Sequence, residues 1–372
     1  MINNKNILLY PLALIWGMIT SFRNFLYNSG VLKSAEFHLP IICVGNITVG
    51  GTGKTPHTEY IAELLRSNFK VATLSRGYKR TSRGFLIASP ATQVKEIGDE
   101  PMQIFRKFPD IVVTVDRNRV NGVNRILAEK PETEVIILDD AFQHRRITPG
   151  FSILLTDFER LIIRDHMMPY GNLRESFGNM RRADIIIISK SPENISPIQR
   201  RIIVKEIDKS PYQNLYFTSM VYRNPLPVFE AMSQVANIPD LSDPENSGIV
   251  LITGIANPQP FKEYLQKSFK EIIHLSFPDH YNFKEKDLQR IASEYQNLKS
   301  TCKYIITTEK DGVRLREFTN IAEPLKSAFF YIPIGIHFLN DDKEEFDNMI
   351  VEYVRKNKRN NRVSESQRNK ES

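Results

Sequence analysis

The sequence has little cysteine, no long apolar run and no surplus of charge in its central part, and each shortage excludes a class of protein. Its 372 residues include two cysteines, Cys43 and Cys302, and neither belongs to a CxxC pair. A disulfide framework is therefore excluded and a reducing compartment fits. Because both cysteines lie in apolar runs, we predict that both are buried. The apolar run of residues 7–19 is only 13 residues long, whereas a membrane-spanning helix needs about 20.

The net charge of +7 comes from the two ends of the chain. The last 18 residues carry seven Lys and Arg against two Glu, the first 39 carry a net +2, and residues 40–354 are neutral. Nucleic-acid-binding proteins carry a basic surface, and the neutral central part of this chain gives no sign of one. Basic ends with an apolar start instead indicate a membrane surface as partner. We expect no nucleic acid and no obligate protein partner.

Apolar residues make up 41% and charged residues 25% of the chain, as in ordinary globular proteins. From Pro40 short apolar runs alternate with helical stretches, without an internal repeat. Continuous apolar runs are typical of strands buried on both faces of a parallel sheet, so the alternation predicts a doubly wound, mostly parallel α/β fold. The predicted strands are Ile41–Val44, Val71–Leu74, Ile111–Val115, Val135–Leu138, Ile153–Leu155 and Ile185–Ile188, with an exposed strand at Tyr216–Tyr222.

A second, smaller α/β series follows a proline-rich linker. The linker prolines are Pro225, Pro227, Pro239 and Pro244. The predicted strands are Ile249–Thr253, Ile272–Leu275, Tyr304–Thr307 and Phe329–Ile332, with helices near Phe261–Phe269 and Lys284–Leu298. We therefore divide the chain into an N-terminal helical segment (1–39), a core (40–225), a smaller α/β domain (226–345) and a helix end with a basic, disordered tail (346–372).

The N-terminal segment predicts an amphipathic helix that lies in a membrane interface. Its apolar side chains recur at three- and four-residue steps over four turns, at Leu12, Ile15, Ile19, Phe22 and Leu26. Trp16 and Tyr27 are residue types that favour the lipid–water boundary. Two alternatives remain: a cleaved signal peptide, although no AxA-like site follows, and a helix packed on the body of the protein.

A glycine-rich loop between a buried strand and a helix is the strongest functional signal. The sequence IICVGNITVGGTGKTP predicts a nucleotide phosphate-binding loop, or P-loop, because backbone N–H groups can surround phosphate oxygens only where no side chain blocks them. Its residues are Thr48, Val49, Gly50, Gly51, Thr52, Gly53, Lys54 and Thr55. Lys54 would reach the β- and γ-phosphates and Thr55 would ligate Mg²⁺. The consensus glycine at the first position is replaced by Thr48.

Acidic residues follow the strand Val135–Leu138. Asp139 and Asp140 at its carboxyl end indicate a Walker B site, where a carboxylate holds Mg²⁺ directly or through water. A second pair, Asp99 and Glu100, lies between Gly98 and Pro101, and its residues alone favour a helix cap with an acid in the first turn.

Two further charged clusters have ordinary structural interpretations on their residues alone. Asp279 and His280 lie in SFPDHYNF, and a single histidine is usually structural. Lys310 and Asp311 lie in TTEKDGVRL, where helix capping and surface charge account for them.

The ordered motifs of residues 7–335 resemble the tetraacyldisaccharide 4'-kinase family, the lipid A 4'-kinases of Gram-negative bacteria. The motifs are VGNITVGGTGKTP, LSRGY, GDEP, VDRNR, DDAFQHRR, GNLRES, ITGIANPQ, FPDH and TTEKD. The family also has threonine in place of the first P-loop glycine. It often has glycine where Ala141 stands, and the loop PAGPLREP where this chain has MPYGNLRES.

The resemblance implies a P-loop kinase at the cytoplasmic face of the inner membrane. It would transfer the γ-phosphate of ATP to the 4'-hydroxyl of a tetraacyl disaccharide 1-phosphate, with Mg²⁺. By position, Lys54 and Thr55 match the phosphate and Mg²⁺ ligands, Asp139 and Asp140 the Walker B acids, and Glu100 an acid implicated in Mg²⁺ binding. Asp99 and His280 match a pair that deprotonates the sugar hydroxyl. Gln143, His144, Asn172 and Arg174 are the candidate contacts to the acceptor.

Two other functions remain open on the sequence. One is a membrane-recruited P-loop NTPase that acts on a protein partner, although the chain has no NKxD tetrapeptide of the kind that reads guanine. The other is a kinase for a soluble small molecule, with the first helix merely packed on the body.

Overall fold

Runs of β-branched and aliphatic residues form the strands of two sheets. The computed structural model describes residues 7–229 and 246–371. The strands are β1 (Ile41–Gly45), β2 (Val71–Ser75), β3 (Leu86–Ile87), β4 (Val112–Val115), β5 (Val135–Asp139), β6 (Phe151–Asp157), β7 (Ile185–Ser189), β8 (Asn214–Tyr222), β9 (Leu226–Pro227), β10 (Ser247–Thr253), β11 (Glu271–Ser276), β12 (Cys302–Thr308), β13 (Phe329–Ile332) and β14 (Ile334–Phe338).

The helices connect these strands and cover the sheets. They are α1 (Tyr10–Asn28), α2 (Lys54–Arg66), α3 (Val94–Ile97), α4 (Asp99–Lys107), α5 (Arg119–Glu129), α6 (Pro197–Ile207), α7 (Gln259–Leu265), α8 (Glu285–Asn297), α9 (Glu309–Leu315) and α10 (Lys343–Glu371). Buried residues of α2, α4 and α10 cover one face of the larger sheet. Those of α5 and α6 cover the other face.

The larger sheet has the strand order β14-β8-β7-β6-β1-β5-β2-β4-β3. From β8 to β4 all neighbours are parallel, and the edge strands β14 and β3 are antiparallel. In such a sheet, ligands bind beyond the carboxyl ends of the strands. The predicted doubly wound, mostly parallel α/β fold is therefore confirmed.

The smaller sheet has the order β11-β10-β12-β13-β9. Its first four strands are parallel, and the short β9 pairs antiparallel with β13. The predicted boundary near residue 225 lies between β8 and β9. Pro239 and Pro244 of the predicted linker lie outside the described residues.

The smaller sheet ends earlier than the predicted limit of 345. After β13 the chain returns to the larger sheet, where β14 pairs with β8 in the register Ile336 opposite Met220. Phe346, Ile350 and Val354 of α10 then join the core of the larger unit. A single residue, Pro333, separates the strands of the two sheets, so no change in composition marks the transition.

Three local predictions differ from the structure. The strand at Tyr216–Tyr222 is not an exposed edge: β14 pairs along it, and its residues 216–219 are buried. Cys43 is buried as predicted, but Cys302 is exposed because it is the first residue of β12, at the open end of the strand.

The third difference concerns the tail from Arg355, which its composition predicts to be disordered. In the structure it continues the helix α10. The buried first turns of α10 anchor this helix, and each further residue adds one backbone hydrogen bond.

Helix α1 packs on the body through a narrow stripe of small and polar residues. Ala13, Thr20 and Asn24 are its buried residues. The predicted apolar face points away from the body, since Leu12, Ile15, Ile19 and Phe22 are between 49% and 63% exposed. Among the described residues, no helix is both long enough and apolar enough to cross a bilayer.

Candidate active site

The glycine loop connects β1 to α2, as the sequence predicts. Gly50 and Gly53 have φ angles of +99° and +77°, in the left-handed region that favours glycine. Gly53 precedes the first residue of α2, Lys54, so that the loop turns directly into the helix. The amino terminus of α2 therefore faces the loop, as a phosphate site requires.

Neighbouring strands hold the loop in place. Asn46 donates to the Thr52 hydroxyl at 2.9 Å, and the Ser189 hydroxyl donates to the Thr52 carbonyl at 2.9 Å. Lys190 donates to the Gly51 carbonyl and forms an ion pair with Asp157 at 2.8 Å. Thus the ends of β6 and β7 support the loop from one side.

His57 also supports the loop, from within α2. Its Nδ1 donates to the Gly53 carbonyl at 2.7 Å, and its Nε2 accepts from the Thr218 hydroxyl at 3.0 Å. Both nitrogens are thereby used by a neutral ring. Burial lowers the pKa of His57 to about 4. His57 therefore connects the phosphate loop to β8.

We expect His57 to make stability depend on pH. Above pH 6.5 the ring is neutral in both folded and unfolded chains. Between pH 6.5 and about 4 only the unfolded chain gains the proton, so folding is weakened by roughly 3 kcal/mol as pH falls through this window. Replacing His57 with Gln should remove this contribution.

The measurement is the difference in thermal midpoint between wild type and His57→Gln at several pH values. The advantage in thermal midpoint of the wild type over His57→Gln should shrink steadily as pH falls from 6.5 to 4.5. The exposed His337→Gln variant is the control and should keep the pH dependence of the wild type. A wild-type minus His57→Gln difference that stays constant with pH would contradict the neutral, buried ring.

Asp139 and Asp140 lie at the carboxyl end of β5, beside the loop. Asp139 is buried and accepts from the Thr58 hydroxyl at 3.1 Å. Burial, and then the negative charges of Glu100 and Asp140, raise the pKa of Asp139 to about 7. Asp140 lies 3.6 Å from the Lys54 ammonium. The structure thus brings the Walker B acids, the loop lysine and Glu100 into one cluster.

The oxygen atoms of this cluster suit a hard divalent cation. Thr55, Glu100, Asp139 and Asp140 supply a hydroxyl and carboxylates, which are the donors that Mg²⁺ prefers together with water and phosphate oxygens. Within the described ranges, no group of three or more His, Cys, Asp or Glu side chains is placed to hold a metal ion by itself. Mg²⁺ commonly takes one or two carboxylates and completes its shell with nucleotide phosphates.

Asp99 and His280 are in direct contact although 181 residues separate them. His280 Nδ1 donates to Asp99 Oδ2 at 2.6 Å. Gly98 is the N-cap of α4 and Asp99 is its first residue, and the Asp99 carboxylate binds His280 and Arg314, so the helix-cap interpretation does not hold. His280 adopts a φ of +60°, unusual for a side-chain-bearing residue, and its N–H donates to the Gly254 carbonyl at 3.1 Å.

Arg314 binds the same carboxylate and was not singled out from the sequence. Its Nε donates to Asp99 Oδ1 at 2.9 Å and its Nη2 donates to Asp99 Oδ2. Burial alone would raise the pKa of Asp99, but the hydrogen bonds from Arg314 and His280 hold it well below its usual range. Asp311 in turn holds Arg314 at 2.9 Å.

Lys310 connects this pair to the acid cluster. Its ammonium lies 3.1 Å from His280 Nε2 and 3.8 Å from both Glu100 and Asp279. Lys310 and Asp311, for which capping and surface charge were sufficient explanations, therefore belong to the site. The only signal for Arg314 is its place four residues after Lys310, on the same side of α9.

Two of the four candidate acceptor contacts, Asn172 and Arg174, lie beside the start of the phosphate loop. Thr48 and Leu173 form an antiparallel bridge, and Val49 N–H donates to the Asn172 carbonyl at 2.9 Å. The Arg174 side chain donates to Gln143 at 3.4 Å.

Asn172 and His144 have other partners. The Asn172 side chain donates to Asp165 at 2.9 Å, and burial lowers the pKa of His144. The Asn172 backbone therefore contacts the phosphate loop at Val49, Arg174 contacts Gln143, and His144 follows Gln143 in the same turn.

A P-loop with a lysine, acids at the end of the adjacent strand and an Asp–His pair from two domains define a P-loop kinase. Residues 5–355 match the family described as Tetraacyldisaccharide-1-P 4'-kinase. The chain is 47% identical over 363 residues to "Tetraacyldisaccharide 4'-kinase" of Bacteroides thetaiotaomicron, covering 96% of this chain and 95% of that protein. It is 43% identical to the protein of the same name in Flavobacterium johnsoniae, covering 94% and 97%.

A solved structure agrees with these relatives. The crystal structure of LpxK from Aquifex aeolicus in complex with ATP matches with a TM-score of 0.71 and 28% identity, covering 93% of this chain and 98% of that one. The chain therefore belongs to the tetraacyldisaccharide 4'-kinase family, and the resemblance inferred from its motifs is confirmed.

Proposed function

We propose that this kinase transfers the γ-phosphate of ATP to the 4'-hydroxyl of tetraacyldisaccharide 1-phosphate, a step of lipid A biosynthesis. One observation carries the proposal at the level of residues. Lys54 of the phosphate loop contacts Asp140 of the acid cluster, and Lys310 connects His280 of the Asp99–His280 pair to Glu100 of that cluster. Phosphoryl transfer to a hydroxyl needs both groups near one site.

The chain supplies charge and orientation on the donor side. The backbone N–H groups of Gly50–Thr55 and the Lys54 ammonium bind the phosphates and neutralise charge that spreads over the transferred group. Thr55, Glu100, Asp139 and Asp140 would hold Mg²⁺, which supplies further charge neutralisation when bound.

On the acceptor side, Asp99 receives the hydrogen bond of the attacking hydroxyl. A carboxylate offers about four acceptor positions, and Arg314 and His280 use three of those on Asp99. One position remains for the sugar hydroxyl. The Asp99–His280 pair then takes the proton as the phosphoryl group transfers.

The direct test is transfer of labelled γ-phosphate from ATP to purified tetraacyldisaccharide 1-phosphate. We expect label on the lipid. Nucleotide hydrolysis without lipid labelling, with GTP as well as ATP, would favour an NTPase that acts on a protein partner. Labelling of a soluble sugar but not of the lipid would favour the small-molecule kinase.

We further propose that α1 holds the enzyme at the cytoplasmic face of the inner membrane, where ATP and a tetraacylated acceptor meet. The observation that supports this is the inverted packing of α1, with polar residues against the body and apolar residues outside. Trp16 donates to the Arg174 carbonyl at 3.2 Å, and Asn24 donates to Glu175 at 2.9 Å. A lipid bound at α1 would thus lie beside Arg174, one of the candidate contacts to the acceptor.

Membrane attachment should resist salt and yield to detergent. Eight apolar side chains on α1 and just before it are more than half exposed, and each contributes roughly 1 kcal/mol on burial, or on the order of 8 kcal/mol together. The net +2 of the first 39 residues adds only about 2 kcal/mol. The apolar contribution should dominate.

The measurement is the fraction of protein that sediments with membranes in 1 M salt and in mild detergent. The triple change of Ile15, Ile19 and Phe22 to Glu should release the enzyme, whereas Ile202→Glu, an equally exposed isoleucine on α6, should not. Complete release of the wild type by salt alone would show that charge holds the protein.

A further inference from the structure

A partly buried lysine, Lys107, connects three helices of the site. The Lys107 ammonium lies 2.5 Å from Glu59 Oε2 and 3.3 Å from Glu309 Oε1. Gln103 donates to the other oxygen of Glu59 at 2.6 Å. Glu59 is buried, and the Lys107 and Glu309 side chains are 21% and 11% exposed. We call Glu59, Lys107 and Glu309 the lysine clamp.

Each member of the lysine clamp belongs to a helix that carries a different part of the site. Glu59 is on α2, which starts at Lys54 of the phosphate loop. Lys107 is the last residue of α4, whose first residue is Asp99. Glu309 is the first residue of α9, directly before Lys310. The clamp therefore connects the helix that follows the phosphate loop, the helix that begins with Asp99, and a helix of the second domain.

We propose that Lys107 is a positioning residue, which sets α9 of the second domain against α2 and α4 so that Lys310 and Arg314 meet Asp99 and His280. This inference rests on the proposed role of the Asp99–His280 pair.

The contacts between α4 and α9 support it. Arg106, next to Lys107, donates to the Val313 carbonyl at 2.8 Å, so the two helices lie side by side. At the other end of this pair of helices Arg314 reaches Asp99. Two parallel attachments, one at each end of α4, fix both the distance and the rotation of α9.

Charge balance explains why a lysine is needed at this position. Glu59 and Glu309 are two carboxylates in one poorly hydrated space, and they repel each other unless a cation lies between them. Burial and the charge of Glu309 raise the pKa of Glu59 to about 7. Without Lys107 the two helices would be pushed apart at the point where the second domain meets the P-loop helix.

The test compares Lys107→Met, Lys107→Arg and the control Arg66→Met. Arg66 ends α2 and pairs with Asp110 at 3.2 Å on the surface, so its loss removes a nearby ion pair without touching the clamp. We expect Lys107→Met to lower kcat roughly 10- to 100-fold, with the KM for ATP within about threefold, since a displacement of about 1 Å has effects of that size. Lys107→Arg should recover most of kcat, and Arg66→Met should behave as the wild type.

The double variant Asp99→Ala with Lys107→Met tests whether Lys107 acts by positioning Asp99 or only by stabilising the fold. In an Asp99→Ala background the Lys107→Met change should cause no further loss of kcat, because the group that Lys107 positions is already absent. An equal fold-loss in both backgrounds, or a Lys107→Met enzyme that matches Arg66→Met, would overturn the proposal.

If Lys107→Met does not fold, Lys107→Met with Glu59→Gln takes its place, since it removes the carboxylate left alone in the interior. This double variant still lacks the ammonium that ties α4 to Glu309 of α9, so a loss of kcat is expected, smaller than that of Lys107→Met because Glu59 no longer repels Glu309. Wild-type kcat in this folded double variant would again overturn the proposal. Phosphorylation of the lipid by the wild type is scored separately, so failure of the proposed function is distinct from failure of the clamp.

Discussion

Replacing Lys54 with Ala should lower kcat for phosphate transfer by roughly 10³-fold while the protein stays folded. Lys54 is the cation of the phosphate loop, and in the structure its ammonium faces Asp140 at 3.6 Å. Removing it leaves the acids at the end of β5 with less positive charge to balance the phosphates. The Lys54–Asp140 pair is itself partly exposed, so its loss should change the free energy of unfolding by less than about 1 kcal/mol.

The measurement is kcat, the KM for ATP and the thermal midpoint of Lys54→Ala. Lys343→Ala is the matched control, because Lys343 forms a 2.6 Å ion pair with Asp347 on the surface of α10, four residues along the helix. It should match the wild type in kcat. Near-normal turnover by Lys54→Ala would remove the basis for assigning the glycine loop to nucleotide phosphates.

The buried strands and the phosphate loop are predictable from sequence because their signals are local. β1, β5 and β7 each begin with four consecutive apolar residues, and every residue of each strand is buried. A strand with consecutive apolar residues has apolar side chains on both faces, and both faces are shielded from water only in a sheet covered on its two sides. Likewise, the loop's glycines and the helix after it are adjacent in the chain.

The edges of the sheets are not predictable in this way. β14 follows β13 after one proline, yet it belongs to the other sheet. The choice depends on which neighbour offers an unpaired edge, here β8, and that is a property of the assembled chain. Long-range packing likewise buries Tyr216, whose ring contacts Phe338 of β14 and Phe346 of α10, whereas the alternation of its own strand indicates exposure.

The charged residues of the site also fall into two groups, those that a local motif predicts and those that it does not. Asp139 and Lys54 follow from local motifs, whereas the contact of Asp99 with His280 is expected only through the family resemblance. Arg314 and Lys107 carry no local signal, because charged side chains at helical spacing are ordinarily solvated. Their burial follows from the way α4 packs against α9.

The second large effect concerns the pair at the acceptor side. Asp99→Ala should lower kcat by roughly 10²- to 10⁴-fold, with much smaller changes in the KM for either substrate. The hydroxyl would lose its acceptor only at the step in which it attacks, so ground-state binding of the two substrates is little affected. His280→Ala should lower kcat as well, since the ring donates to Asp99 at 2.6 Å and holds it in place.

The double variant decides whether Asp99 and His280 act as one unit. Coupled catalytic groups are strongly non-additive, so Asp99→Ala with His280→Ala should be little slower than the more damaging single change. Losses that multiply would show two independent roles. Asp99→Asn is needed beside Asp99→Ala, because Ala leaves the buried Arg314 guanidinium with Asp311 as its remaining ion-pair partner among the described residues.

Asn keeps the shape of the side chain and an oxygen for Arg314, so the fold should persist while the charged acceptor is gone. A low kcat in Asp99→Asn with a thermal midpoint near that of the wild type therefore assigns the loss to chemistry. If Asp99→Asn instead turned over normally and only lost stability, the carboxylate would be an interdomain tether. The base would then have to be sought among the other groups around Lys310.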